Sequence, residues 1–136
     1  MNKNICLIGL FGVLTLAFAI DSKAQCTCVC KFPKSKQLVL SGKQAASVGT
    51  QYSFRPNFFR DCTGAFCIVS AVDYAWTVGT ASTASFTVEG GLNLPELVVV
   101  VTSSGKLELT CTVTVTCGDK TTKCRADGTR TFRLSQ

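Results

Sequence analysis

From Leu107 to Cys117 the chain alternates without a break. Leu107, Leu109, Cys111, Val113, Val115 and Cys117 fall on one face, and Glu108, Thr110, Thr112, Thr114 and Thr116 on the other. A period of two over eleven residues predicts a strand with one face buried and one in solvent. Shorter stretches carry the same signal. Gln37–Ser41 is a candidate first strand. Gln51–Phe59 sets Tyr52, Phe54 and Phe58 against Ser53, Arg55 and Asn57, and Pro56 within it predicts an edge position or a bulge. The apolar run Ala65–Ser70 leads into a strand with Val72, Tyr74, Trp76 and Val78 on one face. Ala84–Val88 and Leu97–Thr102 follow, separated by a loop from Glu89 to Glu96. Ser103-Ser-Gly-Lys106 reads as the turn of a hairpin joining Leu97–Thr102 to Leu107–Cys117. Asp127-Gly128 reads as a turn into a terminal strand, Thr129–Leu134. No segment has the spacing of an amphipathic helix. The pattern predicts an all-β, antiparallel sandwich of seven or eight strands.

One stretch belongs to a different grammar. Ile5–Ile20 is continuously apolar, follows a polar start containing Lys3, and ends in Asp21-Ser-Lys-Ala24 with small residues at the expected cleavage positions. It predicts a signal peptide over residues 1–24. The remaining 112 residues divide into a cysteine-rich segment, 25–36, and the sandwich domain, 37–136. The expected location is secreted, periplasmic or at the cell surface, with no stable membrane insertion after cleavage. No other apolar run approaches the ~20 residues of a spanning helix. The end of the leader, Ser-Lys-Ala-Gln25, resembles those of exported Bacteroidetes proteins.

Cleavage also changes the cysteine count. Cys6 leaves with the leader, and Cys26, Cys28, Cys30, Cys62, Cys67, Cys111, Cys117 and Cys124 remain. Eight in so short an exported chain predict a disulfide framework of up to four bridges. Two local pairs suggest themselves, Cys62–Cys67 across Thr-Gly-Ala-Phe and Cys117–Cys124 across a hairpin end. The triplet Cys26, Cys28, Cys30 cannot pair within itself, because alternate residues of a strand share a face but sit ~7 Å apart. It therefore reaches for distant cysteines, which conflicts with keeping both local pairs. Thiolate binding of zinc or monovalent copper at Cys26–Cys30 is the alternative. The absence of histidine and of any CxxC pair weighs against it, so neither metal nor cofactor is expected.

A Trp on a middle strand, Tyr74-Ala-Trp76, followed by a hairpin into Thr110-Cys-Thr-Val-Thr-Val-Thr-Cys117, resembles the immunoglobulin-like and PKD-like modules of bacterial secreted proteins. The likeness spans residues 37–135. It departs from the PKD pattern in having Thr77-Val-Gly-Thr80 after the Trp. The resemblance implies an immunoglobulin-like sandwich with Cys111 at the later, core-facing position of the disulfide. Its earlier partner would be Cys67, Cys62 or one of the N-terminal three.

Candidate chemistry is sparse. Without histidine, Ser/His/Asp and Cys/His catalysis are excluded. Glu89 and Glu96 bracket a loop and formally suit a carboxylate pair, and Ser103–Lys106 formally matches an S-x-x-K motif. A short chain with no evident cleft favours a solvated loop for the first and a turn for the second. No enzymatic activity is expected. The net charge after cleavage is +5, with Lys120, Lys123, Arg125, Arg130 and Arg133 gathered near the C-terminus as a candidate binding surface. No aromatic–basic motif for nucleic acid accompanies them. The expected function is a non-enzymatic binding or structural module contacting a protein or polysaccharide at or outside the cell surface. Asp61–Phe66, Glu89–Glu96 and Asp119–Arg125 are its best contact regions, and an edge strand offers pairing with a second copy. The alternative is a secreted effector, either a disulfide-braced enzyme inhibitor or a small toxin.

Overall fold

Strand-forming alternation, with no competing helical period, produces nine antiparallel strands in a computed structural model that describes residues 25–34, 38–41 and 48–134. The expected leader, Lys36 and Gln37 lie outside the described residues. Strands β1 (Thr27–Lys31) and β4 (Phe59–Thr63) form a two-stranded ribbon. A four-stranded sheet has the order β2 (Leu38–Ser41), β3 (Gln51–Pro56), β7 (Leu97–Val101), β6 (Phe86–Glu89). A three-stranded sheet has the order β5 (Val69–Val78), β8 (Gly105–Cys117), β9 (Lys123–Leu134). No helix among the described residues is long and apolar enough to cross a membrane.

Alternation dictates which side chains are buried. The apolar face of β8 is fully covered from Leu107 to Cys117, and its other face is partly exposed from Glu108 to Thr114, with Thr116 buried. Trp76 stands opposite Cys111 and Tyr74 opposite Val113, so the expected face of β5 lies against the same core. Tyr52, Phe54, Leu97, Val99 and Val101 of the four-stranded sheet join these residues in one buried cluster. The Phe54 and Phe132 rings, 4.7 Å apart, link β3 to β9. Each fully buried aliphatic side chain here contributes about 1.5–3 kcal/mol.

Strand count and boundaries depart from the expectation in ways that have physical causes. Nine strands replace seven or eight because the cysteine-rich segment supplies β1 and the 51–59 stretch divides into β3 and β4. Pro56 is the last residue of β3, a strand interior to its sheet, so it marks a strand end and not an edge. The apolar run Ala65–Ser70 is not a continuous strand, since β5 begins only at Val69.

Ser103–Lys106 is not a hairpin turn. β7 pairs with β3 and β6, whereas β8 pairs with β5 and β9, so this connection carries the chain from one sheet to the other. The five apolar residues of β7 suit a strand flanked on both sides. The crossing is held by Thr83 N and Ala84 N donating to Lys106 O, and by Thr102 N and Ser103 N donating to Ser85 O. Asp127-Gly128 is not a turn either, since both residues lie within β9. Gly128 sits opposite Cys111 and under the Phe32 ring, where a Cβ would come within 2.7 Å of ring carbons. Glycine is there for close approach.

The local disulfides do not form. Cys26 joins Cys67, and Cys62 joins Cys117. In the β8–β9 register Cys124 faces Val115, while Cys117 N donates to Thr122 O, so Cys117 and Cys124 are out of step. Cys62 points from β4 toward β8 and finds Cys117 there. The immunoglobulin-type bridge at Cys111 is likewise absent, since Cys111 is a buried thiol. Cys28, Cys30 and Cys124 also remain thiols.

Candidate binding surface

The loop between β4 and β5 is exposed and constrained at both ends by disulfides. Cys62, at its start, is bonded to β8, and Cys67, near its end, to the N-terminal segment. By the chain-entropy estimate, closing loops of these lengths stabilises the fold by about 4 kcal/mol each. Gly64 takes φ +127°, and a Cβ there would lie 2.9 Å from the Cys67 sulfur. Cys67 N donates to Gly64 O at 3.2 Å, closing the turn. The result is displayed at Phe66, which has φ +64° and is 99% exposed. A left-handed φ is rare for a bulky residue, and an unburied aromatic ring forgoes the gain of leaving water. Ile68, two residues on, is 69% exposed. Its backbone is anchored where Gly118 N donates to Ile68 O at 2.7 Å. The outward face of the β1–β4 ribbon adds Val29 and Phe59, with Lys31 Nζ 5.9 Å from the Phe59 ring centre.

The basic residues do not form one patch. Lys123, Arg125 and Arg133 project from the outer face of β9, but Arg130 lies on the opposite face. There Arg130 donates to Leu38 O at 2.7 Å and covers the Phe132 ring, which makes it part of the packing between β9 and β2. Arg125 is paired with Asp127 at 3.2 Å. Lys120 sits at φ +60° in the β8–β9 turn. That turn is ordered by Asp119, whose carboxylate accepts from Thr121 N and Thr122 N. The Thr122 hydrogen bonds hold Asp119 below the usual carboxylate range. From Lys123 to Arg133 the strand rises roughly 34 Å, so these charges are dispersed.

The carboxylates that bracket the Glu89–Glu96 loop have separate partners. Gln51 Nε2 donates to Glu89 Oε2 at 2.6 Å, and Arg55 pairs with Glu96 at 2.9 Å. The hydrogen bond from Arg55, with a second from Ser53, holds Glu96 below its ordinary range. The loop itself caps the core: Trp76 donates from Nε1 to Leu94 O and from its backbone to Leu92 O, both at 2.8 Å. Ser103, of the S-x-x-K stretch, accepts from Ser85 N in the crossing between sheets.

The sequence marked the Asp61–Phe66 loop but not the exposure of Ile68 beyond it. Ala65-Phe66-Cys67-Ile68 has the composition of a buried strand, and only Gly64 and the flanking cysteines hinted at a turn. The sulfurs of Cys28, Cys62 and Cys117 lie within 4.8 Å of one another, but Cys62 and Cys117 are bonded to each other and offer no thiolate. Comparison with protein-family models, curated proteins and solved structures finds no match.

Proposed function

We propose that this chain is an exported, non-enzymatic binding module with an immunoglobulin-like sandwich fold, which engages a protein partner through the loop Asp61–Ile68. The observation that carries this reading is Phe66, wholly exposed at a left-handed φ in a loop tied at both ends by disulfides. Rigid aromatic anchors suit binding, because little conformational freedom is lost when they insert into a partner's pocket. Two disulfides fit an oxidising, extracytoplasmic compartment. The sandwich reading draws on the single core shared by the two larger sheets. Glu89 and Glu96 accept hydrogen bonds from separate partners, Gln51 and Arg55, which fits a structural role for both. The same loop supports a narrower reading, a disulfide-braced inhibitor whose tip fills an enzyme's cleft.

The test compares immobilised wild-type protein with Phe66→Ala and Ile68→Ser as bait for the native exported fraction. The expected result is a protein retained by the wild type and lost from both variants. With the recovered partner purified, Phe66→Ala weakens binding by about thirtyfold or more, the ~2 kcal/mol of an interface hot spot. Unchanged retention by both variants, or retention of polysaccharide alone, overturns the loop as the contact. A partner hydrolase that loses turnover in the complex selects the inhibitor reading.

A further inference from the structure

β1 does more than pair with β4. It runs along β9 at a constant offset, with its inward side chains against the core face of the three-stranded sheet. Thr122 Oγ1 donates to Cys26 O, Cys28 meets Cys124 at the same separation of 96 residues, and Phe32 covers Gly128. Alternation along β1 turns Cys28 and Cys30 to this side.

The sulfurs are consequently crowded. Cys28 Sγ lies 2.9 Å from Cys124 Sγ, inside the roughly 3.5–4.0 Å of ordinary non-bonded carbon contact. Cys30, the next inward position of β1, also acts electrostatically on the Cys124 thiol. Cys28 Sγ is 3.4 Å from Cys62 Sγ, its cross-strand neighbour. Cys124 is thus within reach of two thiols on one strand, and it can be bonded to only one at a time.

We propose that Cys28, Cys30 and Cys124 form a thiol–disulfide exchange site, in which Cys124 is cross-linked to Cys28 or to Cys30 and the unpaired member of the two drives the interchange. The first bond forms when the thiols of Cys28 and Cys124 lose two electrons and two protons to the disulfide of an exported thiol oxidase, which leaves as a dithiol. In the exchange the Cys30 thiolate attacks Cys124 Sγ, the Cys28–Cys124 bond breaks, and Cys28 departs as the thiolate. No net oxidation accompanies that second step. Either bond staples β1 to β9, and either leaves one half-buried thiol available to a small thiol or a redox partner. The interchange accelerates with pH, since the thiolate is the nucleophile in either direction.

The test is alkylation of the oxidised, exported protein under denaturing, non-reducing conditions, followed by peptide mapping. The four cysteines outside the two existing bridges are expected to take up two alkyl groups in place of four. Cys111 is one of these, and the second is divided between Cys28 and Cys30. Cys30→Ser gives only Cys28–Cys124, and Cys28→Ser only Cys30–Cys124. The Cys26–Cys67 and Cys62–Cys117 bridges in the same maps certify that each variant is folded. Alkylated Cys124, Cys124 linked to Cys117 or Cys111, or no alkylation at all overturns the site. A lone Cys28–Cys124 linkage in the wild type, unchanged by incubation at high pH, overturns the exchange. Uptake of one zinc ion by three reduced thiols replaces it with a metal site.

Discussion

The two ends of β8 are stabilised by different means. At the Leu107 end, Leu107 and Leu109 are covered by apolar side chains of both larger sheets, with Phe54 against Phe132, and the next inward residue of the strand, Cys111, is an unbonded thiol. At the Cys117 end the cover is the β1–β4 ribbon, a pair of five-residue strands whose inward positions are mostly cysteine. An isolated two-stranded ribbon is marginal in water. Cysteine is small, so this ribbon buries less apolar surface than the four-stranded sheet, and covalent bonds offset the difference. Where a sheet has enough partners, burial alone holds it; where it has one, cross-links take over.

That contrast can be broken from either end. The largest effect is expected from removing Cys62–Cys117 by paired Ser substitution, at about 4 kcal/mol. Urea unfolding measures the total, and hydrogen exchange locates it: β1 and β4 amides lose the most protection, through local opening of the ribbon, while those of Leu97–Val101 fall by no more than the global change. Equal loss at both ends would show that the cross-link serves the whole fold. Next comes Leu109→Ala at the aliphatic end, expected to cost about 3 kcal/mol through lost burial and a cavity. Its effect should be the same in reduced and oxidised protein. Gly128→Ala lies at the junction. It should cost about 1–3 kcal/mol by overpacking against Phe32, and Phe32→Ala should relieve most of that loss in a double-mutant cycle.

Smaller effects separate the ends by pH. With the two bridges intact and the other four cysteines as thiols, burial raises Cys111 from 9.0 to about 12 and Cys28 to about 11. Between pH 9 and 11 the folded chain therefore holds protons that the unfolded chain has released, and stability falls as pH rises. Below pH 9 this contribution is fully present. Urea midpoints at pH 8 and 10.5 should differ in this four-thiol form, and differ less once Cys28 or Cys30 is cross-linked to Cys124. The smallest stability change is expected at Phe66→Ala, within about 0.5 kcal/mol, because the ring touches solvent and not the core. A larger loss would mean that Phe66 is structural.

Legibility followed the range of the interaction. β8 was readable to within two residues because its alternation is long and one face is wholly buried. β5, β6 and β7 were readable as strands for the same reason over shorter spans. Asp127-Gly128 misled, since the pair that favours a turn also serves where a ring must approach the backbone. Ser103–Lys106 misled because a tight link between strands looks alike whether it joins neighbours or crosses between sheets. Among the candidate basic residues, Arg130 was misplaced by a single step of the pleat: one residue of parity separates the outer face of β9 from the core. Phe66 fell in two readings at once, the contact region Asp61–Phe66 and the apolar run Ala65–Ser70, since nothing local distinguishes an apolar residue that is buried from one that is displayed.

The amino-acid sequence by itself determined the strand class of most segments, the inward faces of β5 and β8, and a dependence on disulfides. Each of these follows from neighbours along the chain or from counting. Only the tertiary structure decided which sheet each strand joins, that Cys26 meets Cys67 and Cys62 meets Cys117, and that the loop between β4 and β5 turns Phe66 into solvent. The physical reason is that pleating is local, whereas pairing depends on register between segments tens of residues apart. That register is chosen by the whole core at once.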